Sequence, residues 1–421
     1  MDRPPPWIEP RTAYVHVPFC AHHCGYCDFA VTAGQDHLIE LYLDALAAEL
    51  AALGEPRSVE TLFIGGGTPT YLNPDQLRRL LESIGRWLPL QSGGKPSSVG
   101  WVESSRPTSG ADGRWASPSL DPPDTTSASP EFSIESTPDS LTDEKLALLA
   151  AAGVNRVSVG VQSFRPGALA ALDRRHTPDE IPRAVEAVRR HIPALSLDLI
   201  FAAPGSTLAG WAADLDAAIG FHPEHVSTYG LTYEKGTPLW KQRDRGAVSP
   251  VGEDAELAMY EHAIDALTAA GFAHYEISNF ARPGFRCRHN ERYWANEAYY
   301  GLGVGAARYV GGRRELNVRD TKLYVRRVLA GESPTFQSEC LGPRDRAFET
   351  IATQLRRIDG IDRGRFRAQT GFELDALVGD RLRGLVGSGL LADDGAGVRL
   401  TRRGKCVADG IIAELMKGNQ G

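Results

Sequence analysis

The residues best able to do chemistry lie together near the start of the chain, in Cys20-Ala21-His22-His23-Cys24-Gly25-Tyr26-Cys27. Three thiols at Cys-x3-Cys-x2-Cys spacing on one short stretch form a soft-metal site. A [4Fe–4S] cluster takes four thiolates, one to each iron, so three leave one iron open to an outside ligand. The same cysteines with His22 or His23 would also satisfy a Cys3His zinc site. Zinc knots usually pair Cys-x2-Cys with a distant second pair, which this chain lacks. The spacing therefore favours the cluster, with His22 and His23 shaping its loop. Cys287, Cys340 and Cys406 stand singly. Burial as small apolar residues is the expected state of Cys340 and Cys406.

Such a loop must be held by regular elements. Ala13 to Val17 is β-branched and aromatic, ends at Pro18, and reads as a buried strand delivering the cysteines. Apolar residues from Leu38 to Leu53 recur at helical spacing, with Asp36 as N-cap and Gly54 as the stop. Thr61 to Ile64 is the second strand and runs into Gly65-Gly66-Gly67-Thr68-Pro69-Thr70. A helix then opens on Asn73 as cap and Pro74 as first residue. Strands follow at Glu131–Glu135, Arg156–Gly160, Leu195–Phe201 and His225–Leu231. The helices between them are Leu141–Ala152, Pro178–His191 and Trp211–Ile219. This alternation means βαβ units around a parallel sheet. Six units predict an α/β fold, a partial (β/α)6 TIM-like barrel, with its chemistry at the C-terminal strand ends. The cysteines, the glycines, Glu135, Gln162, Asp198 and Gly230 fall at those ends in turn.

Residues 91–130 break the rhythm. They are rich in Ser, Pro, Gly and Asp, and read as an insertion outside the core. Beyond Met259 the repeat stops, and Gly271–Ile277 and Val304–Val310 look like added strands. From about Pro343, helices at Asp345–Arg357 and Glu373–Gly387 precede a hairpin signal, Leu390–Leu400 around Asp393-Asp394-Gly395. This resembles a winged helix. Its weak basic excess, without a basic stripe, predicts a lid rather than a nucleic-acid reader. The whole chain of 421 residues is mildly acidic, with a formal net charge of -7, and gives no reason to expect nucleic acid as a partner. A clustered thiol loop suits a reducing compartment. With no signal-peptide h-region and no apolar run near the ~18 residues of a membrane span, the expected location is the cytoplasm.

Successive glycines at a strand end let backbone wrap a small polar group. One βα unit after a three-cysteine loop, they suggest a ligand that carries an amino group, a carboxylate and an adenosine, and can reach the open iron. S-adenosylmethionine fits. The chain resembles the radical S-adenosylmethionine (radical SAM) superfamily, and within it the oxygen-independent coproporphyrinogen III oxidase-like family. The resemblance rests on Tyr14 ahead of Cys20, Gly65–Thr70, Glu135 in Ile134-Glu135-Ser136-Thr137-Pro138, Gln162 in Val159–Phe164, Arg174, Asp198, and Gly230 in Tyr229-Gly230-Leu231. It implies S-adenosylmethionine contacts at Tyr14, Gly66, Gly67, Thr68, Glu135, Gln162, Arg174, Asp198 and Gly230, with Cys20, Cys24 and Cys27 on the cluster.

Two departures set the branch. The oxidase has a fourth Cys where this chain has Phe29, and a longer segment ahead of Tyr14. Cys27-Asp28-Phe29 and the run His289-Asn290-x2-Tyr293-Trp294 are instead similar to the haem-chaperone (HemW) branch. That branch implies haem binding and transfer to an acceptor protein. His289 would be an iron ligand or porphyrin contact, or else a structural turn residue. Tyr293 and Trp294 would offer stacking faces, and Cys287 a second axial ligand. The resemblance further implies an electron donor such as a flavodoxin or ferredoxin, and leaves room for a homodimer. The rival reading is decarboxylation of coproporphyrinogen III, or another radical reaction on a tetrapyrrole. The expected domains are a radical SAM barrel over 1–240, an extension with the His289–Trp294 run over 241–340, and the winged-helix-like lid over 341–421.

Overall fold

A computed structural model of the chain describes residues 4–91 and 129–417. The expected insertion over 91–130 lies almost wholly outside them. Six parallel strands form the centre: β1 (Thr12–Val17), β2 (Thr61–Gly66), β3 (Glu131–Ser136), β4 (Arg156–Gln162), β5 (Ala194–Phe201) and β6 (His225–Gly230). They pair in sequence order. Strand residues alternate between two environments, as a period of two requires. Val15, Val17, Leu62, Ile64, Ile134, Val157, Val159, Leu195 and Leu197 join the main apolar core. The intervening residues, such as Thr12, Ser133, Ser158, Ser196 and Ser227, are polar and also buried, and they line the inside of the barrel.

The helices α1 (Ile39–Ala51), α2 (Pro74–Trp87), α3 (Asp143–Ala151), α4 (Glu180–His191), α5 (Leu208–Gly220) and α6 (Glu253–Ala269) cover the outer face. The start of α2 is as expected: the Asn73 side chain accepts from Gln76 N at 3.0 Å, and Gln76 Oε1 accepts from Asn73 N at 3.1 Å. The start of α1 is not. Asp36 lies in a 3-10 turn, Asp36–Leu38, and α1 begins after Leu38 with no side-chain cap. The Asp36 carboxylate instead accepts from Tyr71 OH at 2.9 Å.

Residues 241–340 are less of an appendage than the sequence suggests, because they complete the main sheet. Asn279–Ala281 pairs antiparallel to β6, with Ala273–Glu276 beyond it, and Tyr300–Leu302 pairs parallel to the outer edge of β1. The result is a nine-stranded sheet. The expected strand near Val304–Val310 occurs as Ala307–Val310, in a separate three-stranded antiparallel sheet with Arg313–Asn317 and Thr335–Cys340. Cys340 ends that exposed edge strand and is itself exposed, and Cys406 is only partly covered. Neither is the buried residue expected.

The C-terminal helices and hairpin form their own core around Phe348, Phe366, Leu382 and Ile411. They do not act as a lid on the strand C-termini. Gln354 and Gln369 donate to Ala295 O at 3.3 and 3.0 Å, Arg356 O accepts from Ile277 N at 3.1 Å, and Arg365 pairs with Glu297 at 2.6 Å. The contacts at Ala295 and Glu297 seat the unit where the strands begin, and the one at Ile277 ties it to the added sheet edge beyond β6. No helix among the described residues is long and apolar enough to cross a membrane.

Candidate functional site

At the C-terminal strand ends lies a cavity of about 760 Å³, walled by all six βα units. Cys20, Cys24, Cys27, Gly66, Gly67, Thr68, Glu135, Gln162, Arg174, Asp198 and Gly230 all border it. The loop carrying the thiols is tied at both ends. Its return limb pairs Thr32–Ala33 with Phe19–Cys20, and Thr32 N donates to Pro18 O at 2.7 Å. His22 Nε2 meets Asp173 at 2.9 Å and His23 Nε2 meets Cys27 O at 3.0 Å, so both histidines brace the loop.

Thr68 Oγ1 lies 3.5 Å from Cys20 Sγ, and Arg174 Nη1 donates to Cys24 Sγ at 3.5 Å. Burial pushes the Cys20 thiol up to about 12 and Cys27 up to about 11, so without positive charge from iron both stay protonated. Among the described residues, no three His, Cys, Asp or Glu side chains gather around one metal-ion position. Three thiols each bonding a different iron of one cluster do not need to.

The glycine loop packs as closely as its composition suggests. Gly66 has φ +115, and a Cβ there would fall 2.6 Å from the His16 ring. A Cβ on Gly67 would fall 2.6 Å from Pro18 O. Gly66 N donates to Glu135 Oε2 at 2.8 Å. His16 was not legible as a site residue, yet it joins three parts of the site. Its Nε2 lies 2.9 Å from Ala30 O on the return limb, and its Nδ1 lies 3.1 Å from Tyr14 OH. A carbonyl only accepts, so Nε2 carries the proton and Tyr14 OH donates to Nδ1. Burial lowers His16 to about 4 and keeps it neutral. Tyr14 does not border the cavity; its hydroxyl is joined to the site by the bond to His16.

Burial, with Asp198 nearby, raises Glu135 to about 8 despite its bond from Gly66 N. Asp198 is also raised by burial, and hydrogen bonds from Ser158, Ser227 and Ser196 oppose that shift. Ser158 Oγ donates to it at 2.8 Å. Gln162 sits at φ +63, a left-handed conformation that is costly outside glycine, at the mouth of the cavity. Arg174 Nη2 donates to Gly160 O at 2.8 Å, which holds its charge beside Cys24. The cavity therefore offers a cation, two buried carboxyl groups and bare glycine backbone next to three thiols. Tyr229 and Lys145 border it too. Neither stood out in the sequence.

His289, Tyr293 and Trp294 do not border the cavity. They lie on the Arg288–Trp294 helix at the N-terminal end of the barrel. Glu131, the first residue of β3, accepts from Arg288 N at 2.9 Å and His289 N at 3.0 Å, clamping the start of that helix over the mouth. His289 is 1% exposed, 5.1 Å from the Phe63 ring centroid. Cys287 is buried there too, its thiol pushed up by burial and by Glu131. Phe29, where the oxidase pattern has a fourth Cys, is 66% exposed and borders the cavity.

Residues 14–218 match the radical SAM superfamily model, and residues 341–407 match the HemN C-terminal domain. The haem chaperone HemW of Bacillus subtilis is 34% identical over 96% of this chain and 99% of its own. HemW of Escherichia coli is 30% identical over 96% and 98%. The chain belongs to the HemW family. The E. coli coproporphyrinogen III oxidase HemN superposes with a TM-score of 0.78 over 97% of this chain and 91% of its own. At 23% identity that match speaks for the fold alone. Membership of the radical SAM superfamily implies a [4Fe–4S] cluster and S-adenosylmethionine, and the residues present fit both. The three thiols would hold a cluster with one iron left open, beside a cavity lined by glycine, cation and carboxyl groups.

Proposed function

We propose that the protein is a haem chaperone. It binds a [4Fe–4S] cluster through Cys20, Cys24 and Cys27, S-adenosylmethionine in the adjoining cavity, and haem, which it passes to an acceptor protein. The observation that carries this is the full-length likeness to HemW relatives, together with Phe29 at the place of the oxidase's fourth Cys. In the cavity, Arg174 is the counter-charge for a carboxylate and Asp198 the acceptor for ribose hydroxyls. Gly66 and Gly67 present backbone to the cavity, because packing against His16 and Pro18 leaves no room for a side chain at either position. When bound, the cluster would supply one-electron chemistry. An electron donor such as a flavodoxin or ferredoxin would approach the exposed side of the loop, at Asp28 and Phe29.

Haem contact by His289, Tyr293 and Trp294 belongs to this proposal with a condition. His289 is buried, so its helix must leave the barrel mouth before a macrocycle can reach it, whereas Tyr293 and Trp294 are partly exposed. The test is to incubate cluster-loaded protein separately with haem and with coproporphyrinogen III. About one haem per chain is expected, following the one-ligand-set-per-site logic of haem ligation, and no decarboxylation with S-adenosylmethionine under reducing conditions. Formation of protoporphyrinogen would overturn the chaperone reading in favour of the oxidase. A changed haem spectrum in His289→Ala, with iron–sulfur absorbance kept, would place the ligand there.

A further inference from the structure

Beneath the cavity, the inside of the barrel is polar and closed. The strand register sets Phe63 beside Ser133, and Ser133 beside Arg156, and His289 lies against Phe63. These residues form one layer between the cavity above and the clamped helix below. Arg156 is 5% exposed, Ser133 0% and His289 1%. The guanidinium makes one hydrogen bond among the described residues, from Nη2 to Phe285 O at 2.5 Å. Arg156 Nε and Nη1, Ser133 Oγ and His289 Nε2 are all buried and have no hydrogen-bond partner among the described residues.

An interior charge short of partners costs several kcal/mol. Negative groups surround Arg156, but at a distance. Burial opposes its charged form while Glu131 favours it, and Arg156 in turn favours ionised Asp198. Those carboxyl groups are engaged elsewhere. Glu131 holds Arg288 N and His289 N, and Asp198 holds Ser158. A bound anion would add a third negative charge between them. The chemistry calls for a small neutral molecule that both donates and accepts.

We propose that this layer is an enclosed hydration site, in which ordered water binds Arg156 Nε and Nη1, Ser133 Oγ and His289 Nε2, and bridges the guanidinium to Glu131 below and Asp198 above. Buried waters typically make about three such bonds to groups that lack other partners. Arg156 then acts as a positioning residue for Asp198, which borders the cavity, and opposes the rise that burial imposes on its carboxyl group. The other groups facing Asp198 are Glu135 on β3, Tyr229 on β6, and the hydroxyls of Ser158, Ser196 and Ser227. Neither Glu135 nor Tyr229 supplies positive charge, so Arg156 is the cation that matters to it.

The effect on affinity rests on the reading of Asp198 as an S-adenosylmethionine contact, and the hydration does not. A crystal structure of the cluster-loaded protein, at a resolution that shows ordered water, should reveal waters bonded to these four atoms. A direct ion pair from Arg156 to Glu131 or Asp198, or a dry layer, would overturn the site. S-adenosylmethionine affinity should then be measured against pH by calorimetry on wild type, Arg156→Lys and Arg156→Met. In Arg156→Met the midpoint for loss of binding should move up in pH, with weaker binding on the acid side. Arg156→Lys keeps the charge and should keep the midpoint. An unmoved midpoint in folded Arg156→Met, or the same shift in Arg156→Lys, would refute the coupling. If wild type does not bind S-adenosylmethionine, the cofactor reading and the coupling built on it both fall. The crystallographic arm still decides the hydration, and decides it even if the methionine variant does not fold.

Discussion

Gly66→Ala tests the packing of the site most directly. The added Cβ would lie 2.6 to 2.7 Å from three atoms of the His16 ring, and the backbone there is at φ +115. An L side chain at such a φ costs on the order of 1–3 kcal/mol. The ring cannot slide aside freely, because Tyr14 and Ala30 hold it from two sides. Displacing it breaks one or two hydrogen bonds at about 0.5–1.5 kcal/mol each. The expected loss is therefore roughly 2–5 kcal/mol in unfolding free energy, from backbone strain plus lost bonds. S-adenosylmethionine binding should weaken in parallel, since Gly66 N is the donor that fixes Glu135. Urea denaturation and calorimetry read the two effects. The decisive comparison is a double-mutant cycle with His16→Ala. Once the ring is gone, the added methyl costs only backbone strain. The double variant should therefore be less damaged than the sum of the singles, by about 1–3 kcal/mol. Additivity within about 0.5 kcal/mol would show that the two residues do not press on each other, and the account of the glycine would fail.

Ala at Cys20, Cys24 or Cys27 should abolish the iron–sulfur absorbance of anaerobically reconstituted protein, while Ala at Cys340 or Cys406 should leave it unchanged. Stoichiometric zinc in place of iron would count against the cluster. Burial raises Glu135 from 4.5 to about 8, so the folded state binds the proton more tightly than the unfolded one. Its contribution to stability therefore falls as pH rises between those values, by at most about 1.4 kcal/mol per unit. Glu135→Gln should remove that slope, and denaturation midpoints for the two proteins should diverge above pH 5; parallel curves would show Glu135 ionised throughout. His16 has the opposite sign. It is lowered from 6.5 to about 4, so its contribution is lost as pH falls through that range, and His16→Gln should flatten the acid limb. Gly301→Ala should fail to give soluble protein, because its Cβ would lie 1.7 Å from Ala307 O.

The residues that the chain shows openly are those whose neighbours are local. The cysteine loop, the glycines after β2 and the capped start of α2 all follow from short spacings, and the six strand ends follow from the βα rhythm. What stayed hidden depends on long-range partners. His289 reads as a displayed ligand until Glu131, 158 residues away, is seen to clamp its backbone. His16 and Arg156 look like polar breaks in buried strands, because a sequence does not say that the inner face of the barrel is polar. The lid expectation failed for the same reason. The glutamines that seat the C-terminal unit, Gln354 and Gln369, bond to main-chain carbonyls at Ala295 and Asn296, and such contacts leave no pattern in side-chain types. Tyr300–Leu302 is three residues long, too short for any periodicity to mark.

That short strand also sets a schedule for synthesis. β1 leaves the ribosome long before its outer partner, since Ala13–Val15 pair on that side with Tyr300–Leu302. Nearly three hundred residues separate the two halves of that ladder. At about 5–20 residues per second, the edge waits on the order of 15–60 s for its partner. During that interval the nascent barrel presents an unpaired, apolar strand directly ahead of its three reactive thiols. Capture of the edge by another chain, and oxidation of the thiols, compete with completion over the same tens of seconds. Slower elongation before Tyr300 should therefore raise both aggregation and disulfide-linked by-products, and faster elongation there should lower them.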